Sequence, residues 1–355
     1  GMIRRIAEVQ RHLRKLDIPA VLITNLTDIK YLSGFTGTTA YMIVDLEKAT
    51  FYTDGRYELQ SKEELEETIH IEIVKDYNNI FTEECGKYNK ILLQPSCIIN
   101  ISSKVASKGA EIYLDEEDFM LRLRMLKDDK EIKLIKEQYN IAGKGFLRAL
   151  KMMKYNTSEK SWAAALEYHM KMLGAKGESF ETIVASGVRG AMPHGTATEK
   201  QVQENEPVII DFGSRDTYTS DYTRMVYAGN EQEVLSVIKI VEEAVEKSIE
   251  GISTGVLCSD IDKIARNHIE EAGYGQYFNH SLGHGVGIDV HEMPVLRTKS
   301  DTILEDNMVF TIEPGIYLPN KFGVRIEETV LVKNGKAEII SNILDKHVYN
   351  ILDYQ

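Results

Sequence analysis

Apolar residues recur at helical spacing over residues 2–16, where Ile3, Ile6, Val9, Leu13 and Leu16 line one stripe. The period then changes. Residues 20–24 form a short apolar run that predicts a buried strand, and 25–37, punctuated by Gly34 and Gly37, predicts a turn-rich connection. Strands are expected at 40–44, 49–53, 69–74 and 90–93, with helical segments at 57–65, 78–88 and 102–109. Such alternation predicts a compact α/β domain.

From about 119 to 153 the pattern is helical and charge-laced, with Lys127-Asp128-Asp129-Lys130-Glu131 opening a long amphipathic run. This charged segment reads as exposed, which places a domain boundary at 124/125 and gives domains 1–124 and 125–355. Further helices are expected at 158–173, capped by Thr157 or Ser158, and at 231–250 and 259–271. Strands are expected at 181–186, 207–212, 222–227, 308–312 and 323–332. The second domain therefore reads as α+β, helices on a mostly antiparallel sheet.

The length of 355 residues suits two domains better than one core. A net charge of -13 without a basic block repels nucleic acid, so none is expected as a partner. Cys85, Cys97 and Cys258 are too scattered for a disulfide framework and read as packing residues in reducing surroundings. No apolar h-region follows Arg4-Arg5, Gly1 before Met2 reads as a tag remnant, and no run approaches the ~18 apolar residues of a membrane span. A cytoplasmic chain that does not enter membranes is the expectation.

Chemistry enters where acids interrupt the strands. Val208-Ile209-Ile210 runs into Asp211, Asp221 opens the strand at Tyr222, Phe310-Thr311-Ile312 runs into Glu313, and Gly323-Val324-Arg325-Ile326 into Glu327. One acid at a strand end is ordinarily a cap or a solvated edge. Four are harder to place, because burying carboxylates together is prohibitive without a compensating cation. Glu313 and Glu327 lie symmetrically about Asn320, so an antiparallel hairpin centred there opposes them with Cβ atoms ~5 Å apart. Asp211 and Asp221 are symmetric about Asp216, and the same reasoning pairs them. A four-carboxylate cage prefers hard or borderline divalent ions.

Histidine is the natural further ligand. His280, His284 and His291 fall close together. A helical HExxH arrangement is excluded, since its glutamate is missing and Gly283, Gly285 and Gly287 oppose a helix. On an extended chain His280 and His284 share a face instead. The same glycines lack the spacing of a dinucleotide loop. His194, in a Pro-Gly loop, gains interest only through this company. His12, His70, His169, His268 and His347 sit in ordinary contexts and receive no role.

Taken in order, Asp211, Asp221, His284, Glu313 and Glu327 resemble the five metal ligands of the pita-bread metallopeptidases (family M24), which include methionine aminopeptidase, aminopeptidase P and prolidase. The strings Pro193-His194-Gly195, Asp211-Phe212-Gly213, Ser220-Asp221-Tyr222-Thr223-Arg224, Gly283-His284-Gly285, Glu313-Pro314-Gly315 and Arg325-Ile326-Glu327 carry the same resemblance. Residues 26–37 and Thr53-Asp54-Gly55-Arg56-Tyr57 are similar to the N-terminal domain shared by prolidase, aminopeptidase P and creatinase. Methionine aminopeptidases lack that domain, and creatinase lacks the ligands. Two departures stand out. The family usually separates its two aspartates by one position more than the ten found here, which implies a hairpin shortened near 215–219, and Glu328 stands where aspartate is common.

The resemblance implies two divalent ions, Mn²⁺ or Co²⁺ foremost, with Zn²⁺ or Fe²⁺ also compatible. It implies that Asp211 and Glu327 bridge them, that Asp221 completes one site and His284 with Glu313 the other, and that a shared water becomes the attacking hydroxide. Glu313 would shuttle the proton, His291 would stabilise the tetrahedral intermediate, His194 and His280 would position substrate, and Arg325 would orient an acid or a substrate carboxylate. The expected activity is hydrolysis of the bond preceding proline in a small peptide by a homodimer. The fourteen-residue step from Glu313 to Glu327 resembles prolidases and favours an Xaa-Pro dipeptidase. Aminopeptidase P and a non-catalytic pita-bread binding protein are the alternatives.

Overall fold

Short apolar runs become a six-stranded mixed sheet in the first of two units, Gly1–Arg124. Its strands are β1 (Ala20–Ile23), β2 (Tyr41–Asp45), β3 (Ala49–Thr53), β4 (His70–Ile73), β5 (Lys90–Leu93) and β6 (Glu111–Leu114), ordered β4-β3-β2-β1-β5-β6. The structure is a computed structural model describing residues 1–192 and 195–355. Helix Met2–Leu16 takes the place its apolar stripe predicts. The stretch read as a turn-rich connection contains helix Leu26–Ser33 instead. Asn25 caps it by accepting from Asp28 N at 3.0 Å, and Gly34 ends it in the left-handed conformation at φ 82°. Strand β6 escaped the sequence pattern because it pairs on one side only and buries none of its residues fully.

The second unit, Met125–Gln355, is α+β. Its strands are β7 (Gly177–Glu178), β8 (Ile183–Ser186), β9 (Val208–Phe212), β10 (Ser214–Arg215), β11 (Tyr222–Val226), β12 (Gly283–Gly285), β13 (Glu292–Leu296), β14 (Val309–Ile312), β15 (Gly315–Leu318), β16 (Phe322–Arg325), β17 (Glu328–Lys333), β18 (Lys336–Ile339) and β19 (Val348–Tyr349). One sheet runs β19-β11-β9-β8 and another β13-β12-β14-β17-β18, while β15 with β16 and β10 with β7 form separate ribbons. All these pairings are antiparallel except β11 with β19. A bridge between Thr223 and Glu327 links the two larger sheets.

Helices Asp129–Leu150, Glu159–Met172, Gln232–Glu250 and Cys258–Glu271 accompany these sheets. The helical run expected from 119 to 153 is broken, because Asp128 and Glu131 form a reciprocal capping box that starts a new helix at Asp129. The charged segment there is not the exposed stretch its composition suggests: Lys127 and Glu131 are 3% and 2% exposed. Alternation along β9 sends Val208, Ile210 and Phe212 into one apolar cluster and Ile209 into another. Asp211 shares the face of Ile209. No helix among the described residues is long and apolar enough to cross a membrane.

Candidate metal centre

Two ribbons deliver the acids. In the first, β14 and β17 pair Ile312 with Glu328, and β15 and β16 pair Gly315 with Arg325. Both sets keep one register centred on Asn320. Glu313 and Glu327 face one another at the break between them, where the ribbon leaves the five-stranded sheet.

The second ribbon departs from the expectation. Asp211 lies opposite Thr223, not Asp221, and the register is centred on Thr217. The tip is a tight turn in which Asp216 N donates to Tyr218 O at 2.9 Å, so the shorter spacing is absorbed at 216–218. Asp221 is thereby placed across from Gly213 and diagonal to Asp211. Glycine is required there, since a Cβ on Gly213 would sit 1.9 Å from Ser220 O. Asp211, Asp221 and Thr223 still share one face of the ribbon.

Asp221, His284, Glu313 and Glu327 converge so that one ligand atom from each lies within 4.8 Å of all the others. His284 Nε2 is 3.2 Å from Asp221 Oδ2 and 3.5 Å from Glu313 Oε2, without hydrogen-bond geometry to either. Its Nδ1 donates to Gly285 O at 2.9 Å, which orients the ring and turns Nε2 toward the acids. Thr223 Oγ1 donates to Glu327 Oε1 at 2.9 Å. Asp211 stands at the edge of the group, against Asp221 and held by Arg325 Nη2 at 2.8 Å. Asp221 therefore belongs to the four-residue cluster, with Asp211 beside it.

Burial and the neighbouring Asp221 push Asp211 well above the usual carboxylate range, and burial, Asp221 and Glu313 do the same to Glu327. Burial acts likewise on Glu313, but contacts with Glu327 and His284 outweigh it and hold its carboxyl low. Burial would depress His284, yet Asp221 and Glu313 raise it well above its ordinary value. A cage that keeps protons to limit its own repulsion is one that a divalent cation relieves. The donor atoms agree, since Asp211 Oδ1, His284 Nε2 and Glu327 Oε2 are buried without a hydrogen-bond partner. Carboxylates with one imidazole fit Mn²⁺, Co²⁺, Zn²⁺ or Fe²⁺.

The other candidates differ in their place. His291 is exposed yet stays at the cluster: one of its ring nitrogens lies within 4.8 Å of ligand atoms of Asp221 and His284, and its ring lies over His284 with centroids 4.1 Å apart. His280 is engaged on both ring nitrogens, Nε2 with Tyr317 Oη at 2.7 Å and Nδ1 with Ser281 O at 2.7 Å. Arg325 also donates to Tyr317 Oη, at 3.0 Å, so the hydroxyl gives its own proton to His280 Nε2. That leaves His280 as a neutral Nδ1–H tautomer and commits Arg325 to protein groups, not to a substrate carboxylate. His194 lies outside the described residues. Glu328 points to Arg224, a fully buried ion partner that also holds Glu327 O at 2.5 Å.

Sequence reasoning passed over Tyr317 and Arg297. Arg297 and Lys299 line a cavity of about 720 Å³ with Arg266, Asn279 and His280. Asp262 engages Arg266 at 2.9 and 3.0 Å, whereas Arg297 and Lys299 have no ion pair among the described residues. The signal was two cations just beyond a short strand, which ordinarily marks only a solvated turn.

The sequence pattern of metallopeptidase family M24 matches residues 133–334. The chain belongs to family M24. The creatinase/prolidase N-terminal domain pattern matches residues 5–111. Among M24 relatives, an Xaa-Pro dipeptidase of Pyrococcus horikoshii is 37% identical over 344 residues, covering 95% of this chain and 97% of the relative. The prolidase structure from the same species has a TM-score of 0.91 at 35% identity, covering 95% of this chain and 98% of that one. The X-Pro aminopeptidase structure from Thermotoga maritima has a TM-score of 0.86 at 36% identity, covering 96% and 99%. The pairing of a creatinase-like N-terminal domain with an M24 unit that the residues implied is thus established, as is the metallopeptidase family.

Proposed function

We infer that this metallopeptidase is an Xaa-Pro dipeptidase, cleaving the bond before proline in dipeptides. The observation that carries the reading is the convergence of Asp221, His284, Glu313 and Glu327 within 4.8 Å, with Asp211 beside them. These five would hold two divalent ions, Mn²⁺ or Co²⁺ foremost. Bound there, the ions supply Lewis acidity toward the scissile carbonyl and lower the pKa of water.

The protein groups divide the remaining work. Thr223 fixes one oxygen of Glu327, and Gly285 O orients the His284 ring. Glu313, the acid at the ribbon break, takes a water proton on its carboxylate and delivers it to the prolyl nitrogen, a secondary-amine leaving group that must be protonated to depart. His291, exposed over His284, offers a ring nitrogen to charge developing on the substrate oxygen. His280 and Arg325 keep Asp211 in place through Tyr317 rather than touching substrate. His194 is retained as a substrate-positioning candidate on its motif alone.

Names of relatives favour both dipeptides and longer Xaa-Pro peptides. The cationic pair Arg297 and Lys299 beside His280 supports the former, as a seat for a free carboxylate. A homodimer and a cytoplasmic location follow from the same resemblance. Hydrolysis of Ala-Pro, Ala-Pro-amide and Ala-Pro-Ala with added Mn²⁺ tests the reading. Ala-Pro should be turned over best, and Glu313→Gln should lower kcat by at least ~10³-fold while metal content is kept. Preference for Ala-Pro-Ala would instead assign an aminopeptidase P, and full activity of Glu313→Gln would remove the glutamate from the reaction.

A further inference from the structure

The charged run at 127–131 has no place in the chemistry above, yet two of its side chains are buried. Lys127 Nζ donates to Glu292 Oε1 at 3.1 Å, with side chains 1% and 3% exposed. Lys127 N donates to Asn307 O at 2.9 Å, which anchors the lysine backbone beside β14. Glu292 is the residue after His291 and opens β13.

The Glu292 carboxylate is also the centre about which the preceding loop closes. Its Oε2 accepts from Asp289 N at 3.0 Å. Its Oε1 lies over Gly287, where a Cβ would meet it at 2.4 Å. Gly287 O in turn accepts from Thr219 N at 3.0 Å and Thr219 Oγ1 at 2.8 Å. The neighbour of Thr219, Tyr218, donates to Glu131 Oε2 at 2.8 Å. The start of helix Asp129–Leu150 thus grips both the tip of the aspartate ribbon and the loop that ends in His291.

We propose that Lys127 is a positioning residue for His291: by holding Glu292 it sets the 286–292 loop, and with it the His291 ring over His284. Lys127 touches neither the cage nor any space open to substrate. Its influence passes through one neighbour, Glu292, to the adjacent ring. A histidine that must meet a charge forming on substrate tolerates little displacement, and an error near 1 Å costs on the order of 10²-fold in rate. This inference rests on the reading of His291 as a group that acts on substrate.

The test is a double-mutant cycle on the metal-loaded enzyme. Lys127→Met should lower kcat for Ala-Pro by about 10- to 100-fold, with KM within about threefold and metal stoichiometry unchanged. Lys127→Met takes the lysine charge from a buried carboxylate, so Lys127→Met/Glu292→Gln is made alongside it. That pair of changes removes the charge while keeping an acceptor for Asp289 N, and it should show the same loss in kcat. In a His291→Ala background the Lys127 change should have no further effect, because its route is gone. A loss that multiplies with His291→Ala, or an unchanged kcat in the double variant, overturns the proposal. In the Zn²⁺-loaded protein the His291 ring proton resonances should also move in Lys127→Met/Glu292→Gln, and unmoved resonances would equally overturn it. Absence of wild-type Xaa-Pro hydrolysis, with those resonances still shifting, would instead sink the reading of function.

Discussion

Thr223→Val probes how the cage is tuned. The substitution is nearly isosteric at a fully buried position and deletes the hydroxyl that donates to Glu327 Oε1 at 2.9 Å. Burial, Asp221 and Glu313 shift metal-free Glu327 upward, toward its protonated form, whereas a bound cation favours the ionised carboxylate. The Thr223 bond is worth ~1 kcal/mol to the neutral acid and about 1.5–3 kcal/mol to the ionised one. Only the difference, ~0.5–2 kcal/mol, affects metal affinity. At about 1.4 kcal/mol per tenfold, binding should weaken by roughly 2- to 25-fold. Calorimetric titration of Mn²⁺ into metal-free protein reads this directly, with stoichiometry unchanged. Thr223→Ser keeps the donor and should bind as the wild type does. An affinity for Thr223→Val within twofold of wild type, or a Thr223→Ser variant equally weakened, would refute the reasoning.

Arg224→Met strips the buried partner from Glu328, which costs about 3–5 kcal/mol and should lower Tm by roughly 6–20 °C; Arg224→Met/Glu328→Leu should recover most of it in a thermal melt. Asp211, Glu327 and His284 are all shifted upward, so metal must expel protons. Affinity should therefore rise with pH, and the heat of binding should vary with the ionisation enthalpy of the buffer, whereas a buffer-independent heat would contradict these protonation states. Arg297→Gln should raise KM for Ala-Pro by about tenfold and leave Ala-Pro-amide unaffected; equal effects on both would exclude Arg297 from carboxylate recognition.

Much of the architecture was legible because it rests on period and symmetry. The run 208–212 alternates between two apolar clusters, and the ribbon about Asn320 is centred where its sequence is symmetric. The aspartate ribbon was misplaced by a residue because the same acids permit a centre at Asp216 or Thr217. Only the turn closed by Asp216 and Tyr218 decides between them, and composition does not show it. Helix Leu26–Ser33 was hidden because its cap and its terminal glycine look like turn residues. Tyr317 and Lys127 were missed for opposite reasons: the first resembles any aromatic in an apolar strand, the second any lysine in a solvated charge run. Burial alone distinguishes them, and burial is a property of the neighbours.

The ribbon about Asn320 has a consequence for how such chains can change length. Because β15 pairs with β16 and β14 with β17 in one register, the Asn320 end is free to grow, as nothing between there and Leu318 or Phe322 enters the cage. The arms are not. A residue added between 313 and 318 would slide one glutamate past the other and turn it to the opposite face unless a matching residue were added between 322 and 327. Lineages and engineers alike should find single insertions tolerated at the apex and only compensated ones along the sides.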